Sequence, residues 1–175
     1  MNYMVYKTTT PPHQVGYRAV LETPLIITCM TFSSHNAPPR LRTLVYELLA
    51  ALCVLSPNEG ENIVLGAFSE YRIAHAEMFR FEELVRFLKS GLEDNDETLE
   101  DSSTIEGVWE AKAAAMTLLN ALSNCPDNLE ERVLIREELS RRGLNEAIVV
   151  RAQLNLTLVR TLTVVHPGLT LYAPS

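Results

Sequence analysis

The sequence predicts an all-α fold built as a helical repeat, an α-solenoid. Two stretches seventy residues apart, Thr43 to Ser56 and Ala113 to Pro126, have nearly the same helical pattern, and each contains an LLxAL block. Stacked amphipathic helices produce such internal repetition because each unit buries its apolar face on the next. The 175 residues are 47% apolar and only 7% aromatic, which gives room for one domain of three or four units.

Charge and hydropathy limit the kinds of partner that the protein can bind and indicate where it is located. The net charge of −7 argues against nucleic acid, since phosphate binding needs clustered Lys and Arg, and it favours a basic peptide or protein. No apolar run approaches the roughly eighteen residues of a membrane span, and the first residues lack a signal-peptide pattern. The sequence therefore predicts a cytoplasmic protein with no membrane span.

The side chains that most often do chemistry form no recognisable motif. Cys29, Cys53 and Cys125 are odd in number, far apart and set in apolar helical patterns, which predicts free thiols and neither a disulfide nor a metal site. The four histidines are scattered, and no nucleophile elbow or glycine-rich phosphate loop is present. We therefore expect no cofactor and no enzyme activity. A binding function is favoured, and an enzyme is the weakest of three interpretations.

The chain begins with a segment that is poor in helix signals. Thr8, Thr9, Thr10, Pro11 and Pro12 predict a loose lead-in over residues 1–15, with order beginning near Gly16. From Tyr17 to Phe32 the apolar spacing predicts a helix or a helix-turn-helix. The interruption would lie at Thr23-Pro24, an N-cap residue followed by a first-turn proline.

Three amphipathic helices are predicted next, over Arg40 to Leu55, Glu61 to His75 and Phe79 to Leu92. Their apolar residues recur at spacings of three and four, so one side of each helix should be buried. The positions expected on these sides are Leu41, Leu44, Val45, Leu48, Leu49 and Leu52, then Ile63, Val64, Ala67, Phe68, Tyr71 and Ile73, then Phe81, Leu84, Val85, Phe87 and Leu88.

An acidic stretch from Glu93 to Glu106 separates these helices from the rest and predicts a surface loop over residues 93–107. Asp94, Asn95 and Asp96 are oxygen donors of the kind that bind calcium. The alternating ligand spacing and the turn glycine of an EF-hand loop are absent, so we expect no metal there.

The second half contains a strong helix from Val108 to Asn124 and further helix from Asn128 to Ala152. Within the latter, a break is expected at Arg142-Gly143-Leu144, because glycine readily adopts the left-handed end of a helix. Beyond Asn155 the sequence is β-branched and nearly uncharged, so residues 157–175 are predicted to be strand or loop outside the array.

The outward sides of the two similar helices are the candidate partner site. In the second helix Ala111, Ala114 or Ala115, Leu118 and Leu122 should face the neighbouring helices. The opposite side would then hold Lys112, Ala113, Met116, Thr117, Asn120 and Asn124, and in the first helix Arg42, Tyr46 and Ala50. An Asn amide in such a groove can bond a partner's backbone, although it is as often a polar residue on a wet face. The two helices are thus predicted to share one concave surface.

Four blocks, in their order, resemble a known family. They are RLRTLVYELLAALCVLSPNEGENIVLGAFSEY, RFEELVRFLKSGLE, WEAKAAAMTLLNALSN and LEERVLIREELSRRGL. Together they look like the armadillo-type inhibitory region of diaphanous-related formins, the formin homology 3 segment, in its fungal form. The resemblance covers residues 16–156 and implies an armadillo-like array, closed by the helix at Val133 to Leu144.

The resemblance implies a regulatory binding module that takes part in actin cytoskeleton organisation. Such a module binds the C-terminal autoregulatory segment of a formin, and a Rho-family GTPase releases that contact, so actin is reached only indirectly. The family's groove helix matches Val108 to Asn124, which places Ala113, Met116, Thr117 and Asn120 against the autoregulatory helix. Met1 to Gln14 do not match the family's preceding GTPase-binding subdomain. The expected location is cytoplasmic and cytoskeleton-associated, and the alternative function is a helical-repeat scaffold without autoinhibition.

Overall fold

The computed structural model describes residues 12–90 and 102–149, with side chains from Gly16 and Ile105 onward in the two segments. Across these residues the chain is helical and contains no strand, as an all-α fold requires. The helices are α1 Pro12–Leu21, α2 Pro24–Ser33, α3 Pro39–Leu55, α4 Glu59–Ala74, α5 Glu82–Lys89, α6 Ser102–Asn124 and α7 Leu129–Arg141. A further helical turn follows at residues 144–149.

The helices are stacked in layers. α3 and α6, which contain the two similar stretches, pack on each other more extensively than any other pair of described helices. α2 packs on α4, α3 also contacts α4, and α6 is in turn flanked by α5 and α7. Equivalent helices therefore lie side by side around one shared core, which is the arrangement that the internal repetition predicts.

The first two helices form the predicted helix-turn-helix, and α1 begins earlier than expected. α2 starts at Pro24 directly after Thr23, with proline in the first turn. α1 starts at Pro12, four residues before the predicted beginning of order at Gly16. The prolines of the lead-in were interpreted as helix breakers, yet a proline in a first turn needs no hydrogen-bond donor and has a suitable φ. The rest of the predicted lead-in, residues 1–11, lies outside the described residues.

The third amphipathic segment is shorter than predicted. α5 begins only at Glu82, because Phe81 has a left-handed φ of 67° that no α-helix can contain. Phe81 is nevertheless buried, as expected for a residue of this apolar side. In α4 the prediction for Ile73 is wrong, since its side chain is 71% exposed in the last turn of the helix.

The second half follows the predicted order. α6 begins at Ser102, so its first turn replaces the end of the predicted acidic loop, whereas residues 93–101 lie outside the described part of the chain. α7 ends at Arg141, and Gly143 has a φ of 80°, which confirms the predicted helix break. Residues 157–175 and the predictions made for them also fall outside the described ranges.

The two similar helices differ in how well their buried sides were predicted. In α6 the expected residues Ala111, Leu118 and Leu122 are fully buried, together with both alanines of the Ala114-Ala115 pair. In α3 Val45, Leu49 and Leu52 are buried as predicted, but three other leucines of the same prediction are exposed, namely Leu41, Leu44 and Leu48. Only half of the apolar surface of α3 therefore belongs to the core.

Candidate partner-binding face

One side of α6 forms an exposed row of small and polar side chains. Ala113, Thr117, Asn120 and Asn124 follow one another at spacings of three and four and are all exposed. Met116 lies beside them, half-buried against the core. We call the four exposed residues the α6 face, and their orientation is the one that the sequence predicted.

Hydrogen bonds fix the polar groups of the α6 face. Asn124 Nδ2 donates to both the carbonyl oxygen and Oδ1 of Asn120, each at 2.8 Å. Arg136 of α7 donates from Nη2 to Asn124 Oδ1 at 2.6 Å. Thr117 donates to the Ala113 carbonyl oxygen at 3.0 Å. The amide oxygen of Asn120 is thereby held, and no described residue accepts from its NH2 group, which can donate to a bound partner.

Tyr46 and Ala50 do not belong to a groove. They are only 3% and 4% exposed, so the prediction that they lie opposite the core is wrong. The Tyr46 ring lies 6.5 Å from the Phe87 ring. Burial raises the pKa of Tyr46 above its ordinary value. The physical reason is that this side of α3 is the side against which the rest of the array packs.

Lys112 is also buried, although it was predicted to face outward. Its ammonium group donates to the Ser90 carbonyl oxygen. It also lies 5.7 Å from the centre of the Phe87 ring and 5.6 Å from that of Trp109. A backbone acceptor and aromatic faces stabilise a cation that has lost most of its water. Lys112 therefore links α6 to the end of α5, and the helical pattern alone could not distinguish it from a surface lysine.

Arg42 also lies over the ring of Phe87. Its guanidinium carbon is 4.4 Å from the centre of the Phe87 ring, and its Nε donates to the Ala37 carbonyl oxygen at 3.1 Å. Phe87 thus contacts one cation from α3 and one from α6, and we call Arg42, Phe87 and Lys112 the Phe87 cluster. Sequence reasoning missed this cluster because its three members are distant in the chain.

A second cluster joins the ends of α2 and α4. His35 Nδ1 lies 2.5 Å from the Tyr71 hydroxyl, and the Tyr71 and His75 rings stack with centres 4.0 Å apart. The Phe32 and Tyr71 rings meet in a T-shaped contact with centres 5.4 Å apart. Two of the four scattered histidines are therefore neighbours in the fold, where they contribute to packing between the helix ends.

Among the described residues, no group of three or more His, Cys, Asp or Glu side chains is placed to hold a metal ion. All three cysteines are free thiols. Burial raises the pKa of Cys53 to about 12, and it also raises that of Cys125, so both thiols are protonated at neutral pH. Within the described ranges, no helix is long and apolar enough to cross a membrane.

Equivalent helices pack side by side in layers, and one of them exposes a row of side chains to solvent. This arrangement defines the armadillo-like class of helical repeat. The family model described as the Diaphanous FH3 Domain matches residues 61–161, which include all of α6 and α7. The chain belongs to this family, as its sequence blocks predict.

The chain is also similar to formins of animals and amoebae. It is 29% identical over 133 residues to Formin-like protein 1 of Homo sapiens, which covers 76% of this chain and 11% of that protein. It is 28% identical over 134 residues to human Formin-like protein 3, covering 77% and 12%. It is 27% identical over 135 residues to Formin-F of Dictyostelium discoideum, covering 77% and 10%. The chain thus matches about a tenth of the length of these relatives.

Proposed function

We propose that the chain is a regulatory binding module of a formin, in which the α6 face binds the formin's C-terminal autoregulatory segment as an amphipathic helix. The observation that carries the proposal is the exposed, hydrogen-bonded row from Ala113 to Asn124, which lies within the segment that the family model matches. The module would act in the cytoplasm, associated with the cytoskeleton, and would affect actin organisation indirectly.

The chemistry of the α6 face suits a helix with mixed apolar and polar contacts. Ala113 leaves space for a close approach, and the Asn120 NH2 group can donate to a backbone or side-chain oxygen. Met116, half-buried beside the α6 face, adds an adaptable apolar surface. Recognition of a helix by such a groove relies on a few anchors at spacings of three and four. Tyr46, Ala50 and Lys112 are then buried packing residues that hold α3 and α6 in place, and the half-buried Arg42 supports them by its contact with the Phe87 ring.

Regulation would follow from competition. A Rho-family GTPase that binds a surface overlapping the α6 face would exclude the autoregulatory segment from that face. A GTPase bound elsewhere would weaken binding of the segment through a coupling free energy between the two sites. The alternative is a scaffold that uses the same face to join two proteins without any inhibitory contact.

The substitution Asn120→Asp tests this function. Aspartate keeps the acceptor that Asn124 requires but loses the NH2 donor, so the α6 face keeps its shape and loses one bond to the partner. We expect affinity for a fluorescent formin tail peptide to fall about tenfold, which corresponds to about 1.4 kcal/mol. Anisotropy titrations should be made at high salt, because the added negative charge attracts a basic peptide at low salt.

Asn62→Asp is the matched control, since Asn62 is an exposed asparagine of α4 outside the α6 face. Its affinity for the peptide should equal that of the unmodified chain. Equal binding by the Asn120 and Asn62 variants, or no binding of the tail peptide by the unmodified chain, would exclude the autoregulatory function and leave the scaffold alternative.

A further inference from the structure

Two histidines lie side by side on the surface where the ends of α2 and α4 meet. His75 is the C-cap residue of α4, and His35 follows the C-cap residue of α2. Both residues are exposed, and the centres of their rings are 4.6 Å apart. They are distant in the chain and come together because α2 packs on α4. We call His35 and His75 the histidine pair.

The hydrogen bonds of the histidine pair define the tautomer of each ring. His75 Nδ1 lies 3.1 Å from the Tyr71 carbonyl oxygen, which can only accept, so Nδ1 carries the proton. Asn36 Nδ2 lies 3.0 Å from His35 Nε2 and can only donate, so Nε2 is the acceptor of that ring. His35 Nδ1 therefore donates to the Tyr71 hydroxyl oxygen at 2.5 Å. In the neutral form, each ring thus has its lone pair on Nε2.

This is the tautomer in which histidine binds a metal ion through Nε2. A ligating histidine usually donates its other ring N–H to an oxygen atom, which fixes the ring and makes the ligating nitrogen more basic. Tyr71 provides the oxygen for both rings, one from its backbone and one from its side chain. Because Tyr71 is buried, these two acceptors are held in place by the core. Asn36 is exposed, so an ion could displace its amide from His35 Nε2.

The distance between the two rings fits two bonds to one ion. A metal ion bonded to Nε2 at about 2.0–2.1 Å lies about 3.2 Å from the centre of the ring. Ring centres 4.6 Å apart can share such an ion, because their separation is less than twice that length. The angle between the two bonds would be about 90°, which suits the square-planar or tetragonal geometry of Cu²⁺ and Ni²⁺.

The helix ends also favour a cation at this place. The C-terminal end of a helix has a partial negative charge, and two such ends meet at the histidine pair. α2 has no basic residue in its last turn, and α4 has only Arg72 there. Two neutral imidazoles add no charge of their own, so an incoming ion would be the main positive charge between the two ends.

We infer that the histidine pair is a binding site for a divalent transition-metal ion that prefers imidazole ligands, held by Nε2 of His35 and Nε2 of His75. Water would fill the other coordination positions, since the described residues provide no group of three or more ligands. The bound ion would join the end of α2 to the end of α4. The inference goes beyond the proposed function because the α6 face takes no part in it.

Isothermal titration calorimetry of the full 175-residue chain, made without a histidine tag, tests the site with NiCl2. We expect Ni²⁺ to bind and Mg²⁺ to give no heat of binding, because Mg²⁺ requires oxygen ligands. His35→Gln and His75→Gln should each weaken Ni²⁺ binding about a hundredfold, because the second ligand of a fixed pair acts at a high effective concentration. Ni²⁺ should also raise the Tm of the unmodified chain and leave that of His75→Gln unchanged.

His13→Gln and His166→Gln are the matched controls, since they remove the other two histidines of the chain one at a time. Both should bind Ni²⁺ as the unmodified chain does. Circular dichroism verifies that each variant is folded. Absence of Ni²⁺ binding by the unmodified chain would overturn the inference, and so would equal affinity in the unmodified chain, His35→Gln and His75→Gln. These outcomes do not affect the Asn120→Asp experiment, which contains no metal ion.

Discussion

Glu61 is a carboxylate buried at the start of α4, where only 3% of the residue is exposed. Burial raises its pKa above the ordinary 4.5, the nearby Glu131 carboxylate raises it further, and Arg80 partly opposes both effects. Between 4.5 and the raised pKa, the folded chain therefore binds a proton that the unfolded chain has released. This residue contributes stability at low pH that is lost as the pH rises through the folded-state pKa.

Glu61→Gln should remove this pH dependence. The amide keeps the size and polarity of the side chain but cannot ionise, so the variant should become progressively more stable than the unmodified chain as the pH rises from 4 to 8. Urea unfolding at several pH values measures the difference in free energy of unfolding. The same substitution at Glu47, an exposed carboxylate of α3, is the control for the general loss of one charge. A constant difference across the range would show that burial of Glu61 has no electrostatic cost.

At the scale of elements, the connection between α3 and α4 depends on one close approach. A Cβ atom built on Gly60 would lie 2.2 Å from the Leu52 carbonyl oxygen, and the Gly60 amide donates to the Ser56 carbonyl oxygen at 2.8 Å. Because the obstacle is backbone, it cannot move without shifting a helix end. Gly66, in the middle of α4, has no atom within 4 Å of the equivalent position.

These two glycines make a matched pair of predictions with opposite signs. Gly60→Ala should lower the free energy of unfolding by about 1–3 kcal/mol, because the added methyl group must separate α4 from the end of α3. Gly66→Ala should raise it by about 0.5–1 kcal/mol, because the methyl group has space and alanine loses less backbone entropy in a helix. Chemical unfolding of both variants provides the measurement. Changes of the same sign in the free energy of unfolding would contradict the close approach between Gly60 and the Leu52 carbonyl oxygen.

How far the sequence predicts the elements depends on how one-sided each helix is. The buried side of α6 was predicted correctly because Asn120 and Asn124 mark the opposite side as polar. In α3 leucines lie on both sides, so spacing alone could not decide which side enters the core. The buried side of α3 can be assigned only from the packing of other helices, because α4 and α6 contact α3 on the side of Leu49.

The candidate site was predicted correctly on α6 except for Lys112, because polar residues mark the exposed side there, and wrongly on α3, where they do not. The α6 face was predicted correctly as an exposed row, whereas Tyr46, Ala50 and Lys112 were placed on the surface and are buried. Lys112 illustrates the limit, since its burial depends on Phe87 and on the Ser90 carbonyl oxygen, which helix α5 brings into contact. Helical phase contains no information about such contacts between distant segments.

At the scale of the whole molecule, α7 and the residues that follow it contact earlier parts of the chain through both charged and apolar groups. Arg80, before α5, forms a two-bond ion pair with Glu138, and Lys89 pairs with Glu146 at 3.2 Å. The Arg142 guanidinium lies 3.2 Å from the centre of the Phe79 ring. The buried apolar side chains of α7 itself are Ile135 and Leu139. α6, in contrast, contacts α3, α5 and α7 and buries nine side chains from Ala111 to Ser123.

This gradient of burial predicts a gradient of local stability, which native-state hydrogen exchange can measure. Amides from Leu118 to Leu122 should exchange most slowly, because opening α6 exposes the centre of the core. Amides of α1 should exchange fastest among the described helices, since Leu21 is its only fully buried side chain from Gly16 onward. Arg80→Met should accelerate exchange selectively in α7, because Glu138 loses its partner at a cost of about 1–3 kcal/mol. If exchange rose equally in α3 and α7, the array would unfold as one cooperative unit and the gradient would be excluded.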